Sequence, residues 1–148
     1  MREILFRGKR KDNGEWGYGD LIHNDNGFND QVFIAKLIIG ENEDKHQFDD
    51  DEILLGWSPY NVIPSTIGQY TGLTDKNGRK IFEGDIVKWT GSLYKVVFEQ
   101  RFGTAYFGIK ISDYETWYFC NSCAANLMEI AGNVYDNPEL LKGGNDNG

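Results

Sequence analysis

The chain has 148 residues and a formal net charge of −8, from 23 acidic and 15 basic side chains. That length holds one domain or two small subdomains, and the acidic balance argues against a protein that neutralises a nucleic-acid backbone over a broad surface. Its 18 Gly and 3 Pro, alongside 9 Phe, 8 Tyr and 4 Trp, favour short strands joined by tight turns over a helical bundle.

The start, MREILFRGKR, carries an apolar run too short for a secretory signal, and nothing approaches the roughly 18 apolar residues of a membrane span. A soluble, cytoplasmic protein with no membrane partner is expected. Arg2, Arg7, Lys9, Arg10 and Lys11 form the one local cationic cluster. It suits a charged hairpin edge, and contact with nucleic acid through it is the alternative reading.

Residues 3–8 and 15–22 flank Lys11-Asp12-Asn13-Gly14, and the Asn-Gly pair predicts a first hairpin, since both residues tolerate positive φ. After the polar loop HNDNGFND, the β-branched run QVFIAKLIIG (31–40) predicts a strand. Residues 41–52 hold seven acids and one Lys. They do not follow the calcium-loop pattern, so a solvated acidic loop is expected. Pro59 and Pro64 should cut the following apolar run into short pieces.

The sharpest turn chemistry lies in the middle of the chain. GQYTGL and RKIFEGDIVKW flank TDKNG, which predicts a second hairpin turning at Asn77-Gly78. Gly84-Asp85 should bend its second strand. LYKVVFE, TAYFGIKI and TWYFC supply further strands at the spacing of a small barrel or sandwich. LMEIAGNVY reads as a last strand, DNPELLK as one helical turn with Pro138 at its start, and residues 142–148 as a flexible tail. The passages after Asn13-Gly14 and Asn77-Gly78 resemble one another, which similar hairpin geometry explains without duplication.

No catalytic constellation emerges. His23 and His46 fall in polar or acidic surroundings, and Asp20 and Asp85 each follow a Gly, where a carboxylate usually accepts backbone N–H bonds and holds a bend. Cys120 and Cys123 form CNSC, without the βαβ setting of a redox pair or two further ligands at zinc-finger spacing. Structural thiols are expected, with a metal shared across subunits left open. The expectation is therefore a protein that is not an enzyme and uses no cofactor or metal. Asn13, Gly14, Asn77, Gly78, Gly84 and Asp85 are its turn-forming residues. Trp16, Tyr18, Tyr60 and Tyr70 are the foremost candidates for an interaction surface, with Trp57, Trp89 and Trp117 also in view.

Three passages, FRGKRKDNGEWGYGDLI, IGQYTGLTDKNGRKIFEGDIV and EIAGNVYDNPELL, resemble the signature blocks of the YopX family, small proteins of bacteriophages and prophages. The resemblance implies a β-rich protein with a region similar to SH3-type barrels and carries no catalytic residues with it. Taken together, the fold class expected is mainly β, a β-rich α+β protein of short antiparallel strands. It would have a β-rich subdomain over 1–65, an SH3-like barrel over 66–141 and one short helical turn. A protein partner from phage or host, or a homo-oligomer, is the expected company.

Overall fold

The computed structural model describes residues 1–24, 31–39, 55–119 and 124–142. The acidic stretch 41–52 lies outside the described residues, as do Cys120, Cys123 and the tail beyond Lys142. The chain is mainly β, its strands falling into two antiparallel sheets. It divides into two compact units, one of Leu5–Ile67 and one of Met1–Ile4 with Gly68–Gly148. Among the described residues no helix is long and apolar enough to cross a membrane.

The Leu5–Ile67 unit is a four-stranded antiparallel meander. Strands β1 (Phe6–Lys9), β2 (Trp16–Asn24), β3 (Gln31–Ile39) and β4 (Leu55–Asn61) lie in the order β4-β3-β2-β1, followed by a 3-10 turn over Pro64–Thr66. Side chains alternate between faces as a strand requires. Val32, Ile34 and Val62 form the buried cluster, with Phe6, Leu21, Tyr60 and Ile67 packed on it. Gly19 is the point of closest approach: a Cβ there would lie 2.2 Å from the Ala35 carbonyl oxygen. Pro59 sits inside β4 and does not break it. β4 is the outermost strand of the meander, paired with β3 through the Pro59–Ala35 position, and an edge strand tolerates a residue with no N–H to donate.

The loop between β1 and β2 differs from the tight Asn-Gly turn expected. Register pairs Lys9 with Trp16, and Arg10 N–H donates to Glu15 O at 2.9 Å while Gly14 N–H donates to Arg10 O at 3.0 Å. Gly14 adopts a φ of 72°, but Asn13 is absent from the positive-φ residues. Its side-chain oxygen instead accepts the Glu15 N–H at 2.9 Å. Longer hairpin loops end on a single left-handed residue, so one glycine suffices.

In the Gly68–Gly148 unit, β5 (Gly68–Thr74) pairs with β6 (Lys80–Phe82). Beyond them β7 (Asp85–Trp89), β8 (Ser92–Arg101), β9 (Thr104–Lys110), β10 (Thr116–Tyr118) and β11 (Glu129–Asn133) form a five-stranded sheet. Its order is β10-β9-β8-β7-β11. A 3-10 turn, Ala125–Leu127, precedes β11, and a four-residue helix α1, Glu139–Lys142, ends the described chain. The closed barrel expected over 66–141 is not formed as a closed ladder, because β10 and β11 remain the two ends of the sheet. One core nevertheless gathers side chains from this sheet, from β6 and from the 3-10 turn before β11: Ile81, Val87, Val96, Ile109, Ala125, Met128 and Ile130.

At the TDKNG turn, Gly78 has a φ of 77° and Asn77 again does not take positive φ. Gly78 N–H donates to Asp75 O at 3.0 Å, and Asp75 N–H to Arg79 O at 2.8 Å. A Cβ on Gly78 would meet nothing within 4 Å. A Gly78→Val substitution therefore acts through the backbone alone, and should cost about 1–2 kcal/mol in urea unfolding. Gly84, with a φ of 89°, makes the break between β6 and β7. There the buried Asp85 accepts the Phe82 N–H at 2.7 Å.

Candidate interaction surfaces

The β1–β2 hairpin segregates its residues by parity. Arg7 stands opposite Tyr18 and Lys9 opposite Trp16 on one face, with Phe6, Gly8, Gly17 and Gly19 on the other. The Arg7 guanidinium lies 4.7 Å from the Trp16 ring centroid and Lys9 Nζ 5.7 Å, within the range of cation–π attraction. Arg7 is buried, whereas Tyr18 is exposed. Arg10 projects to the other face, 4.0 Å over the Tyr60 ring. Its guanidinium donates to both Asp12 oxygens, from Nε at 2.9 Å and Nη2 at 2.5 Å. This hydrogen-bonded pairing holds Asp12 below the usual carboxylate range and Arg10 above its ordinary value. The cations of this cluster are thus partly committed within the hairpin.

The other candidates from the sequence separate. Tyr60 is half-buried against the Leu5–Ile67 core. Tyr70 is 8% exposed and packs at a tilt on Phe82 with ring centroids 5.6 Å apart, so it faces the interior. Trp57 lies on β4, its side chain outside the description. Asp20 and His23 are exposed on β2, and His46 lies outside the described residues. Among the described residues no group of three His, Cys, Asp or Glu comes together as a metal site would require.

A carboxylate that sequence reasoning passed over organises the second hairpin. Asp75, 3% exposed, accepts N–H bonds from Asn77 and Arg79 at Oδ1, both 2.9 Å, and from Ile130 at Oδ2, 3.0 Å. Burial alone would push its carboxyl up. The bonds from Ile130, Arg79 and Asn77, with the Arg79 charge, outweigh that and hold it below the usual range. Glu83 goes the other way, raised chiefly by burial and only partly restrained by the Gln69 N–H and the Lys95 charge.

More aromatics lie on β8, β9 and β10, divided by register between the two faces of the sheet: Phe98, Phe107 and Trp117 on one, Tyr106 and Tyr118 on the other. Phe98 packs on Phe107 at 5.0 Å, Tyr106 on Tyr118 edge-to-face at 6.0 Å, and Trp89 on Trp117 edge-to-face at 5.9 Å. Phe98, Trp117 and Tyr118 remain exposed, and Tyr114 and Phe102 stand almost wholly in solvent at 88% and 96%. Arg101 Nη1 donates to the Tyr114 carbonyl at 2.8 Å, folding the β9–β10 loop back beside the β8–β9 turn. Of these residues only Trp89 and Trp117 stood out in the sequence. The readable signal for the others was the residue-Gly pair, Phe102-Gly103, closing a two-residue hairpin between apolar runs.

The YopX protein family profile matches residues 5–142. The chain belongs to the YopX family. The match runs through every described strand of both units. No curated protein is similar to the chain. Among solved structures it is similar to protein EF1440 from Enterococcus faecalis, seen by crystallography. The two share 22% identity, with a TM-score of 0.52, over 95% of this chain and 99% of that one. At that identity the likeness concerns the fold alone.

Proposed function

We propose that this YopX-family chain is a phage- or prophage-encoded accessory protein that works by binding another protein and not by catalysis, in the cytoplasm of the host. The observation that carries the reading is the run of exposed aromatics on β8, β9 and β10, notably Phe98, Phe102, Trp117 and Tyr118. Large exposed aromatics, here on both faces of the sheet, are costly in water and characteristic of surfaces that become covered. The strand order, in which β11 returns beside β7 after a 3-10 turn, supports reading this unit as a partly open SH3-like barrel. Asp85 and Asp75 are committed to backbone N–H groups, which supports a structural role for the buried carboxylates.

The test is capture from induced host cells with the wild-type chain and with a Trp117→Ala, Tyr118→Ala double variant. A partner held by the wild type and lost by the variant is the expected result; identical captures from both would sink the reading. The alternative, nucleic-acid contact through the β1–β2 hairpin, draws support from Lys9 and Arg7 beside Trp16. The Arg10–Asp12 pairing and the burial of Arg7 leave it fewer accessible cations, and phosphate contact would have to fade steeply with salt.

A further inference from the structure

The β8–β9 turn contains a residue whose backbone and side chain both run against its surroundings. Phe102 has a φ of 53° in a two-residue turn whose favoured first residue is Asn or Gly. Its ring is 96% exposed. A bulky residue in the left-handed region is strained, and such strain persists where something outside the local chain rewards it. Among the described residues nothing covers the ring.

The same unit offers an open depression of about 340 Å³, with Leu73, Thr74, Phe119, Ala124 and Ala125 in its walls. An apolar cavity of about 150 Å³ is enough to take a benzene ring, so the volume of this open depression is sufficient for a phenyl group. Knob and hole lie on one compact unit. Charge does not oppose bringing two such units together: Gly68 to Lys142 hold eight basic and nine acidic residues, while Leu5 to Ile67 hold six and twelve. The net charge of −8 is therefore carried mainly by the Leu5–Ile67 unit and not by the unit that bears knob and hole.

We infer that Phe102 of one copy of this chain inserts into the depression beside Leu73 and Phe119 of a second copy, a head-to-tail contact. This rests on the reading of the chain as an interaction protein and names the partner as the chain itself. Because knob and hole are different patches, the contact is heterologous. Each copy keeps one free knob and one free hole, and growth continues until a ring closes.

Sedimentation velocity on the full chain, from micromolar to millimolar concentration, tests this with three proteins. The wild type associates past the dimer. Phe102→Asn weakens association at least about tenfold, yet unfolds at a higher temperature, because Asn suits the turn. Leu73→Lys, which puts a charge at the rim of the hole on a residue 38% exposed, weakens association to a similar degree. Mixing the two variants restores one competent contact, the Phe102 of one with the intact hole of the other, and yields a heterodimer and nothing larger. A wild type that stays monomeric throughout overturns the inference, as does Phe102→Asn associating like wild type or a mixture that fails to pair. Phosphatidylcholine vesicles that retain a monomeric wild type but not Phe102→Asn would likewise overturn it, in favour of a lipid surface. A monomeric chain that still captures a cellular protein through Trp117 and Tyr118 leaves the broader reading standing and removes only this one.

Discussion

Asp75→Ala should destabilise the Gly68–Gly148 unit by about 3–5 kcal/mol, a large share of the stability of a small domain. The substitution leaves three backbone N–H groups, those of Asn77, Arg79 and Ile130, without their acceptor. The buried Ile130 donor so orphaned costs about 1–3 kcal/mol, and the part-buried donors of Asn77 and Arg79 add about 1 kcal/mol each. The loss is not local, because Ile130 lies 55 residues further on and pairs with Val87 where β11 meets β7. Urea unfolding followed by tryptophan fluorescence measures it. The carboxyl is held below its ordinary value in the folded chain. Its contribution is therefore present above the unfolded value of 3.8 and fades as pH falls through the lower, folded one. Asp75→Asn should remove that part of the acid sensitivity. An Asp75→Ala protein with an unchanged midpoint would show that the turn and β11 are held by something else.

The second large effect is expected at Gly19→Ala. A methyl group there would lie 2.2 Å from the Ala35 oxygen and 2.8 Å from its carbonyl carbon. Both are backbone atoms of the neighbouring strand, which cannot swing aside as a side chain would. The β2–β3 ladder must separate at the Asp20–Ala35 pair, beside Ile34 in the core, at a cost of about 3 kcal/mol. Gly14→Ala provides the contrast. Gly14 has positive φ but nothing within 4 Å of a Cβ, so only the backbone strain of about 1 kcal/mol applies. Calorimetry on both variants separates close packing from conformational strain; equal losses would contradict the distinction.

Local pattern and long-range partnership were unequally readable. The alternation Trp16-Gly17-Tyr18-Gly19 shows a strand with one aromatic face, because period two is written in neighbouring residues. The breaks at Gly14, Gly78 and Gly84 are visible for the same reason. Asp75 was hidden, since Thr-Asp-Lys-Asn-Gly already accounts for a turn and nothing nearby announces a bond to Ile130. Tyr70 looked suited to a surface until burial against Phe82 was known, for a strand's pattern does not say which face meets the core. The reverse holds at Phe102, an aromatic that composition alone would send inside. The hairpins at Thr90-Gly91 and Phe102-Gly103 take positive φ at both residues, while the two Asn-Gly pairs do not. The preference of Asn for that geometry therefore pointed to the wrong turns. Pro59 was expected to interrupt β4, and only the strand's outermost place in its sheet explains why it does not.

That outermost place has a bearing on how molecules of this protein can meet. A strand arriving from another molecule would lay its carbonyls along β4 and find, at Pro59, no hydrogen to receive. Open β edges otherwise invite unlimited lateral stacking into fibres. An imino acid in mid-strand leaves the row of donors gapped, so that molecules come together more readily through shaped side chains than through shared ladders.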